Sequence, residues 1–221
     1  MDGITENEVN IFLREIQPMC DGKLGEIQQK AMKEGVPIIP PEVVKLIGVI
    51  LKIKQPKNIL EVGTAVAFSS SFMSQYIPKD GVITTIERFD VMKKQAEINI
   101  KEMGLENVIN MLEGDASEVL PTLTGPYDVI FLDAAKGQYN VFLPECIRLL
   151  PIGGILIADN VLQGGIVAQS RFDVPRRQRT IHKRMRNFLW NISHSGVFES
   201  TIIPIGDGVA VCYKIAEEKG E

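Results

Sequence analysis

A chain of 221 residues, 45% hydrophobic and 24% charged, has the composition of a globular protein and the length for one sizeable domain, burying roughly 70% of its unfolded surface. No apolar run nears the roughly 20 residues a membrane span needs, and the acidic, polar start MDGITENEVN is no secretory signal. A net charge of −4 argues against a general polyanion binder, yet residues 171–186 hold seven basic residues against one acid, Asp173, leaving the remainder at −10. Such an island suggests a local anionic partner.

The first elements are helical. Residues 5–17 and 22–34 read as amphipathic helices, split by Pro18 and ended by Gly35. VPIIPP (36–41) is a stiff extended segment. A third helix spans 42–53. Strands and helices then alternate: strand 58–62, helix 67–77, strand 82–87, helix 90–103, strand 107–112, helix 116–121, strand 127–132, helix 138–149 and strand 154–158. Alternation of this kind predicts a doubly wound α/β sheet with right-handed crossovers. After helix 175–193 come β runs 198–205 and 208–215, joined tightly through Gly206-Asp207-Gly208, a hairpin that brings an antiparallel strand into the sheet. One domain is expected over 1–221, with 1–35 as a helical extension. Cys20, Cys146 and Cys212 lack CxxC spacing, which argues against zinc or a disulfide framework and fits a reducing cytoplasm.

Chemistry gathers at strand ends, where ligands bind in open α/β sheets. The runs Val129 to Leu132 and Ile155 to Ala158 each stop at an aspartate. Asp133, Asp159 and Asn160 are therefore expected to converge on an all-oxygen site for a hard divalent cation such as Mg2+, with Lys136 nearby. The plainer reading is that each Asp caps the next turn. In ILEVGTAVAFSS (59–70), Gly63 lets backbone approach a ligand, and Ala65 and Ala67 keep the turn small. Glu87, ending the second strand, suits a pair of ribose hydroxyls, unless it is merely a surface acid. Glu113-Gly114-Asp115-Ala116 suits an adenine edge. The single glycine and Glu61 in the first turn disfavour a pyrophosphate, hence NAD, and favour a cationic ligand such as S-adenosylmethionine.

Along helix 175–193, Ile181, Met185, Phe188, Leu189 and Ile192 form an apolar stripe, with Arg176, Arg179, Lys183, Arg186 and Trp190 opposite. Arg177 and Arg184 lie nearer the apolar edge. Basic side chains beside an aromatic suit single-stranded RNA. The bland alternative is a solvated face with Trp190 in a dimer interface.

ILEVGTAVAFSS, TIER, EGDA, YDVIFLDAAKGQY, IADNVL and IPIGDGVAV together resemble the cation-dependent O-methyltransferases of the caffeoyl-CoA and catechol type, across nearly the whole chain. VPII, DAAKGQY, DNVLQGGIVA, PRRQR and IIPIGDG make the likeness strongest to the bacterial tRNA 5-hydroxyuridine methyltransferases. The resemblance implies a class I methyltransferase fold, a Rossmann-like seven-stranded sheet with an antiparallel last strand, usually a homodimer. It implies that Asp133, Asp159 and Asn160 hold magnesium and that Lys136 and Asp133 serve catalysis. It also implies that Ile39, Glu61, Gly63, Ser69, Glu87, Asp115, Ala116 and Asp133 line the donor site. Relatives often have glycine where Ala67 stands, and no match appears to the late acid that holds a catechol's second hydroxyl. The function expected is magnesium-dependent methylation of 5-hydroxyuridine at the tRNA wobble position, with Arg176, Arg177, Arg179 and Lys183 meeting the anticodon region. A small catechol or phenylpropanoid acceptor is the alternative within the class. An NAD-binding oxidoreductase or a non-catalytic nucleotide-binding module is the alternative outside it.

Overall fold

The computed structural model describes residues 7–217. Helices α1 (Asn7–Ile16), α2 (Gly22–Glu34) and α3 (Pro41–Lys54) come first. Then follow β1 (Asn58–Val62), α4 (Phe68–Met73), β2 (Val82–Glu87), α5 (Asp90–Glu102) and β3 (Ile109–Glu113). Next are α6 (Ala116–Val119), β4 (Val129–Leu132), α7 (Tyr139–Leu149), β5 (Ile155–Ala158), α8 (Arg179–His194), β6 (Phe198–Ile203) and β7 (Val209–Lys214). The seven strands form one sheet in the order β3-β2-β1-β4-β5-β7-β6. β1 with β2, β2 with β3 and β4 with β5 pair parallel, whereas β7 runs antiparallel to both β5 and β6. The expected fold class is thus the observed one.

By internal contacts the chain divides into the units Met1–Asp115 and Ala116–Glu221. In the first, Gly35 ends α2 at φ 69, a left-handed conformation open to glycine without a Cβ penalty. Leu60, Val62, Val43, Ile47 and Leu51 are fully buried there. In the second, β4 (VIFL) and β5 (ILIA) are almost wholly buried, the signature of a strand covered on both faces. Lys214 is buried too. Its Nζ donates to the Ile147 and Leu150 carbonyls at 3.0 and 2.8 Å and to Glu217 at 2.6 Å, so the charge ends α7 where carbonyls lack partners.

Element boundaries moved for local reasons. The segment expected as helix 67–77 is α4 plus a 3-10 turn, Ser74–Tyr76. The helix expected at 175 opens as a 3-10 turn, Arg176–Gln178, before α8. The strand expected to 205 stops at Ile203, because Pro204 has no N–H to give a ladder. Residues 5 and 6 of the first expected helix lie outside the described residues. The apolar stripe of α8 also needs correction. Met185, Phe188 and Ile192 are buried as expected, but Ile181 and Leu189 are only half-buried, and His182 takes a core place. Its Nε2 meets the Gln169 carbonyl at 3.1 Å, a contact from a loop that a helical wheel does not include.

Candidate active site

In the first unit the parallel register of β1 and β2 sets Glu61 opposite Thr85. Glu61 is fully buried and accepts hydrogen bonds from the hydroxyls of Ser69 and, at 2.6 Å, Thr85. Thr64 and Thr85 share a further hydroxyl contact of 2.6 Å. The turn after β1 is tight: Gly63 (φ 106), Ala65 (φ 46) and Ala67 (φ 61) all have positive φ. That explains why glycine suits the position of Ala67, since a Cβ in the left-handed region costs about 1 kcal/mol or more.

Glu87 is buried and pinned. One carboxylate oxygen accepts the Ala65 N–H at 2.9 Å, and the other accepts those of Arg88 and Phe89 at 2.9 and 2.8 Å. It is therefore no surface acid. A carboxylate has about four lone-pair sites, so capacity for a hydroxyl donor remains. Sequence reasoning missed this cradle, although the glutamate at a strand end pointed to it. Asp115 pairs with Arg88 at 3.0 Å, and Ile39 is buried just ahead of α3. A fixed acid for hydroxyls, with a second buried acid, Glu61, placed in β1 rather than in the one-glycine turn where the sequence suggested it, fits a cationic nucleoside ligand better than a pyrophosphate.

In the second unit Ala116 opens α6 and is buried. The β4–β5 register pairs Leu132 with Ala158, so both strands end at one level. The Asp159 N–H then donates to the Leu132 carbonyl at 2.9 Å. The buried Tyr139 hydroxyl lies 2.9 Å from the Leu132 carbonyl and 3.1 Å from that of Asp159, tying the two tips together. The sequence holds Tyr139 in its DAAKGQY motif but not this role. Asn160 stands at φ 55, and the Gln163 amide donates to its carbonyl at 2.7 Å.

Electrostatics show that the two aspartates feel each other. Asp159 is 1% exposed, and its carboxyl is pushed up to about 7, first by burial and then by the negative charge of Asp133. The Asn160 N–H, 2.8 Å from one carboxylate oxygen, and the charge of Lys136 oppose the rise. Burial and the same two acids hold the Tyr139 hydroxyl well above its usual value. Lys136 donates to Asp133 at 2.6 Å, the carboxylate pairing that competes with a role as base.

No three His, Cys, Asp or Glu side chains form a metal-holding group among the described residues. Two repelling carboxylates and an adjoining asparagine nevertheless fit magnesium. That ion is held by one or two carboxylates, keeps several waters, and would relieve the repulsion. Asp133, Asp159 and Asn160 are the residues that would hold it.

Of the expected RNA contacts, Arg176, Arg177 and Lys183 are exposed and make no side-chain hydrogen bond or ion pair among the described residues. Arg179 is engaged, donating to the Val174 and Phe172 carbonyls at 3.0 and 3.3 Å. Arg186 likewise donates to Val167 at 3.0 Å.

Residues 19–215 match the O-methyltransferase family model. The chain is 33% identical to a catechol O-methyltransferase of Niastella koreensis over 77% of its own length and 80% of that protein's. It is 28% identical to caffeoyl-CoA O-methyltransferase 2 of Populus trichocarpa over 94% and 86% of the two. Its fold superposes on the O-methyltransferase TomG of Streptomyces achromogenes, solved with S-adenosylmethionine, with a TM-score of 0.82, 24% identity and 98% and 100% coverage. The protein is an S-adenosylmethionine-dependent O-methyltransferase by class. The chain belongs to the O-methyltransferase family, with relatives of the caffeoyl-CoA and catechol type.

Proposed function

We propose that the protein transfers a methyl group from S-adenosylmethionine to the 5-hydroxyl of 5-hydroxyuridine at the tRNA wobble position, giving 5-methoxyuridine, in a magnesium-dependent reaction. The observation that carries the acceptor chemistry is the acidic pair Asp133 and Asp159 at adjoining strand ends. Magnesium held there would acidify a bound hydroxyl and fix an acceptor with two neighbouring oxygens. In 5-hydroxyuridine the 5-hydroxyl and 4-carbonyl are such neighbours.

The chain's own groups do the rest. Glu87 accepts the donor's ribose hydroxyls, and Glu61 supplies negative charge toward its cationic end. Lys136, 2.6 Å from Asp133, takes the acceptor proton. The acceptor oxygen forms the new bond to the methyl carbon while the S–CH3 bond breaks and its electron pair returns to sulfur. S-adenosylhomocysteine leaves, and Lys136 gives its proton to solvent.

RNA as the acceptor's carrier is supported by Arg176, Arg177 and Lys183, exposed and unpartnered among the described residues, in an otherwise acidic chain. Buried Cys146 and Cys212, the latter pushed up to about 12 by burial, are inert core thiols and fit action in the cytoplasm. Exposed Ile11, Phe12 and Ile16 on α1 support assembly as a homodimer. No described helix is long and apolar enough to cross a membrane.

A small catechol or phenylpropanoid acceptor is the second reading, favoured by the relatives' activities. The deciding test is nucleoside mass spectrometry of tRNA from cells lacking the gene, alongside assays of the purified enzyme on an anticodon stem-loop and on catechol. Loss of 5-methoxyuridine from those cells is expected, together with turnover of the stem-loop that a chelator abolishes. Unchanged 5-methoxyuridine with turnover of catechol alone would establish the second reading instead.

A further inference from the structure

Lys136 is followed directly by the wall of a cleft that the methyl-transfer chemistry does not use. The cleft, of about 690 Å³, is lined by Gly137, Gln138, Asn140, Val141, Arg184, Asn187, Trp190 and Asn191. Among the described residues no acidic side chain lines it, although the chain as a whole carries a net negative charge. Its chemistry is planar and amphipathic: four carboxamides, one guanidinium and one indole.

The parts are set in different ways. Asn140 is committed, its amide donating to the Arg184 carbonyl at 2.7 Å and its oxygen accepting from Asn191 at 3.3 Å. Arg184 reaches across to the Gly137 carbonyl at 3.2 Å with one of its donors, leaving others over. Gln138 and Asn187 make no side-chain hydrogen bond among the described residues. Trp190 is 64% exposed, yet it is not loose. It stacks on His194, with centroids 3.7 Å apart and planes at 11°, and the His194 ring meets the Trp190 carbonyl at 2.9 Å. An indole braced on one face by its own helix is a ready platform for a second planar group, at low entropic cost.

An unpaired nucleobase is the ligand these features match. Its face stacks on an aromatic, its edge offers the donor and acceptor pairs that carboxamides read, and its phosphate suits a guanidinium. The same helical segment carries Arg176, Arg177 and Lys183, exposed and unpartnered among the described residues, for the continuing backbone. We propose that the cleft beside Lys136 is a nucleobase subsite. It takes a base of the RNA strand flanking the methylated uridine, with the ring on Trp190, the edge on Gln138 and Asn187, and the phosphate on Arg184. The subsite rests on the reading of the acceptor as RNA and deepens it: the enzyme recognises a neighbouring nucleotide as well as the hydroxylated base.

Trp190 is the only tryptophan in the chain, so it reports on its own occupancy. Titrating the enzyme with a 5-hydroxyuridine-bearing anticodon stem-loop should quench its fluorescence with the saturation curve that methylation follows. The free nucleoside 5-hydroxyuridine should not quench it. Trp190→Ala should raise KM for the stem-loop about tenfold, the scale of one base–aromatic stack, and Trp190→Phe should restore most of the loss. An abasic residue at the flanking position should raise the wild-type KM by a similar factor and add nothing in Trp190→Ala.

Stem-loop methylated without quenching, at a KM that Trp190→Ala leaves unaltered, overturns the subsite while the RNA reading stands. Stem-loop neither bound nor methylated by an enzyme that turns over catechol overturns both. Sedimentation of Trp190→Ala as a monomer, with the stem-loop KM unmoved, assigns the indole to a subunit contact and likewise overturns the proposal.

Discussion

Glu61 and Asp159 are both buried carboxylates near the tips of parallel strands, 0% and 1% exposed, yet their surroundings are opposite. Glu61, in the first unit, faces neutral donors: the hydroxyls of Ser69 and Thr85. Asp159, in the second, has one backbone N–H and the like charge of Asp133. Hydroxyl partners satisfy an acid and fix its geometry. A like charge leaves an acid in want of a cation. On the proposed function, the comparison therefore separates a donor region whose acid is satisfied by the chain's own hydroxyls from an acceptor region whose acid a metal would satisfy.

The strongest test makes the same isosteric change in both places. Asp159→Asn should lower turnover by about 100-fold or more, the upper range even for a residue that only supports a metal ligand. It should also stabilise the metal-free chain at neutral pH by removing a buried, repelled charge. The sign follows from linkage. The folded carboxyl titrates at about 7 and the unfolded one near 3.9. Its contribution is fully present below about pH 4 and is lost as pH rises through about 7, a swing on the order of 4 kcal/mol. Thermal unfolding of the chelated enzyme across pH 4–8 should show that decline, restored by magnesium and absent in Asp159→Asn. Glu61→Gln should instead destabilise by about 1–3 kcal/mol, because one neutral oxygen must replace two charged acceptors. A stabilised Glu61→Gln would break the contrast.

Lys136 sharpens the acceptor side. Lys136→Met keeps much of the side chain's volume and removes the amine. It should lower kcat by about 10²- to 10⁴-fold, the usual share of a general base, with donor binding measured by calorimetry held within about twofold. Parental turnover would leave Lys136 as a counter-ion to Asp133 alone.

A smaller effect concerns what holds the acceptor region in shape. The β6–β7 turn bears on the loop after Asn160: the Val161 and Leu162 N–H groups donate to the Gly208 and Asp207 carbonyls at 2.9 and 3.0 Å. Asp207 also accepts from the Gly164 N–H. Gly208 sits at φ 87, and a Cβ there would stand 2.4 Å from Leu162 Cγ. Gly208→Ala should therefore cost about 1–3 kcal/mol by strain and weaken magnesium affinity about tenfold, read by metal titration. An unaltered metal affinity would show that the loop holds Asn160 without the turn.

The two regions also differ in how openly the sequence displayed them. Apolar runs ending in Asp133 and Asp159 announced β4, β5 and their shared level, because a buried parallel strand must be apolar throughout and must stop where its ligand begins. β1 and β2 were equally legible, and so was Glu87 at a strand end. The Ala65 N–H that pins Glu87 from across the sheet was not, since it depends on how the turn after β1 folds back on the end of β2. Nor was the pairing of Arg179 and Arg186 with carbonyls of residues 167–174. A helical wheel gives the direction of a side chain but not the loop laid over it, and the core place of His182 was hidden for the same reason.

That last difference sets the smallest predicted effect. Among the basic residues of this segment, Arg176 and Arg177 are free to meet phosphate, whereas Arg179 already serves the loop carbonyls. Charge reversal of Arg176 and Arg177 together should weaken stem-loop binding and flatten the dependence of log K on log salt. Two lost phosphate contacts on single-stranded RNA amount to a slope change of about 1.4. Reversal of Arg179 should act otherwise. It removes two hydrogen bonds to the protein's own backbone, so its main readout is a lower melting temperature. A salt slope that responds to Arg179 as strongly as to the free pair would mean that the loop contacts give way when RNA binds.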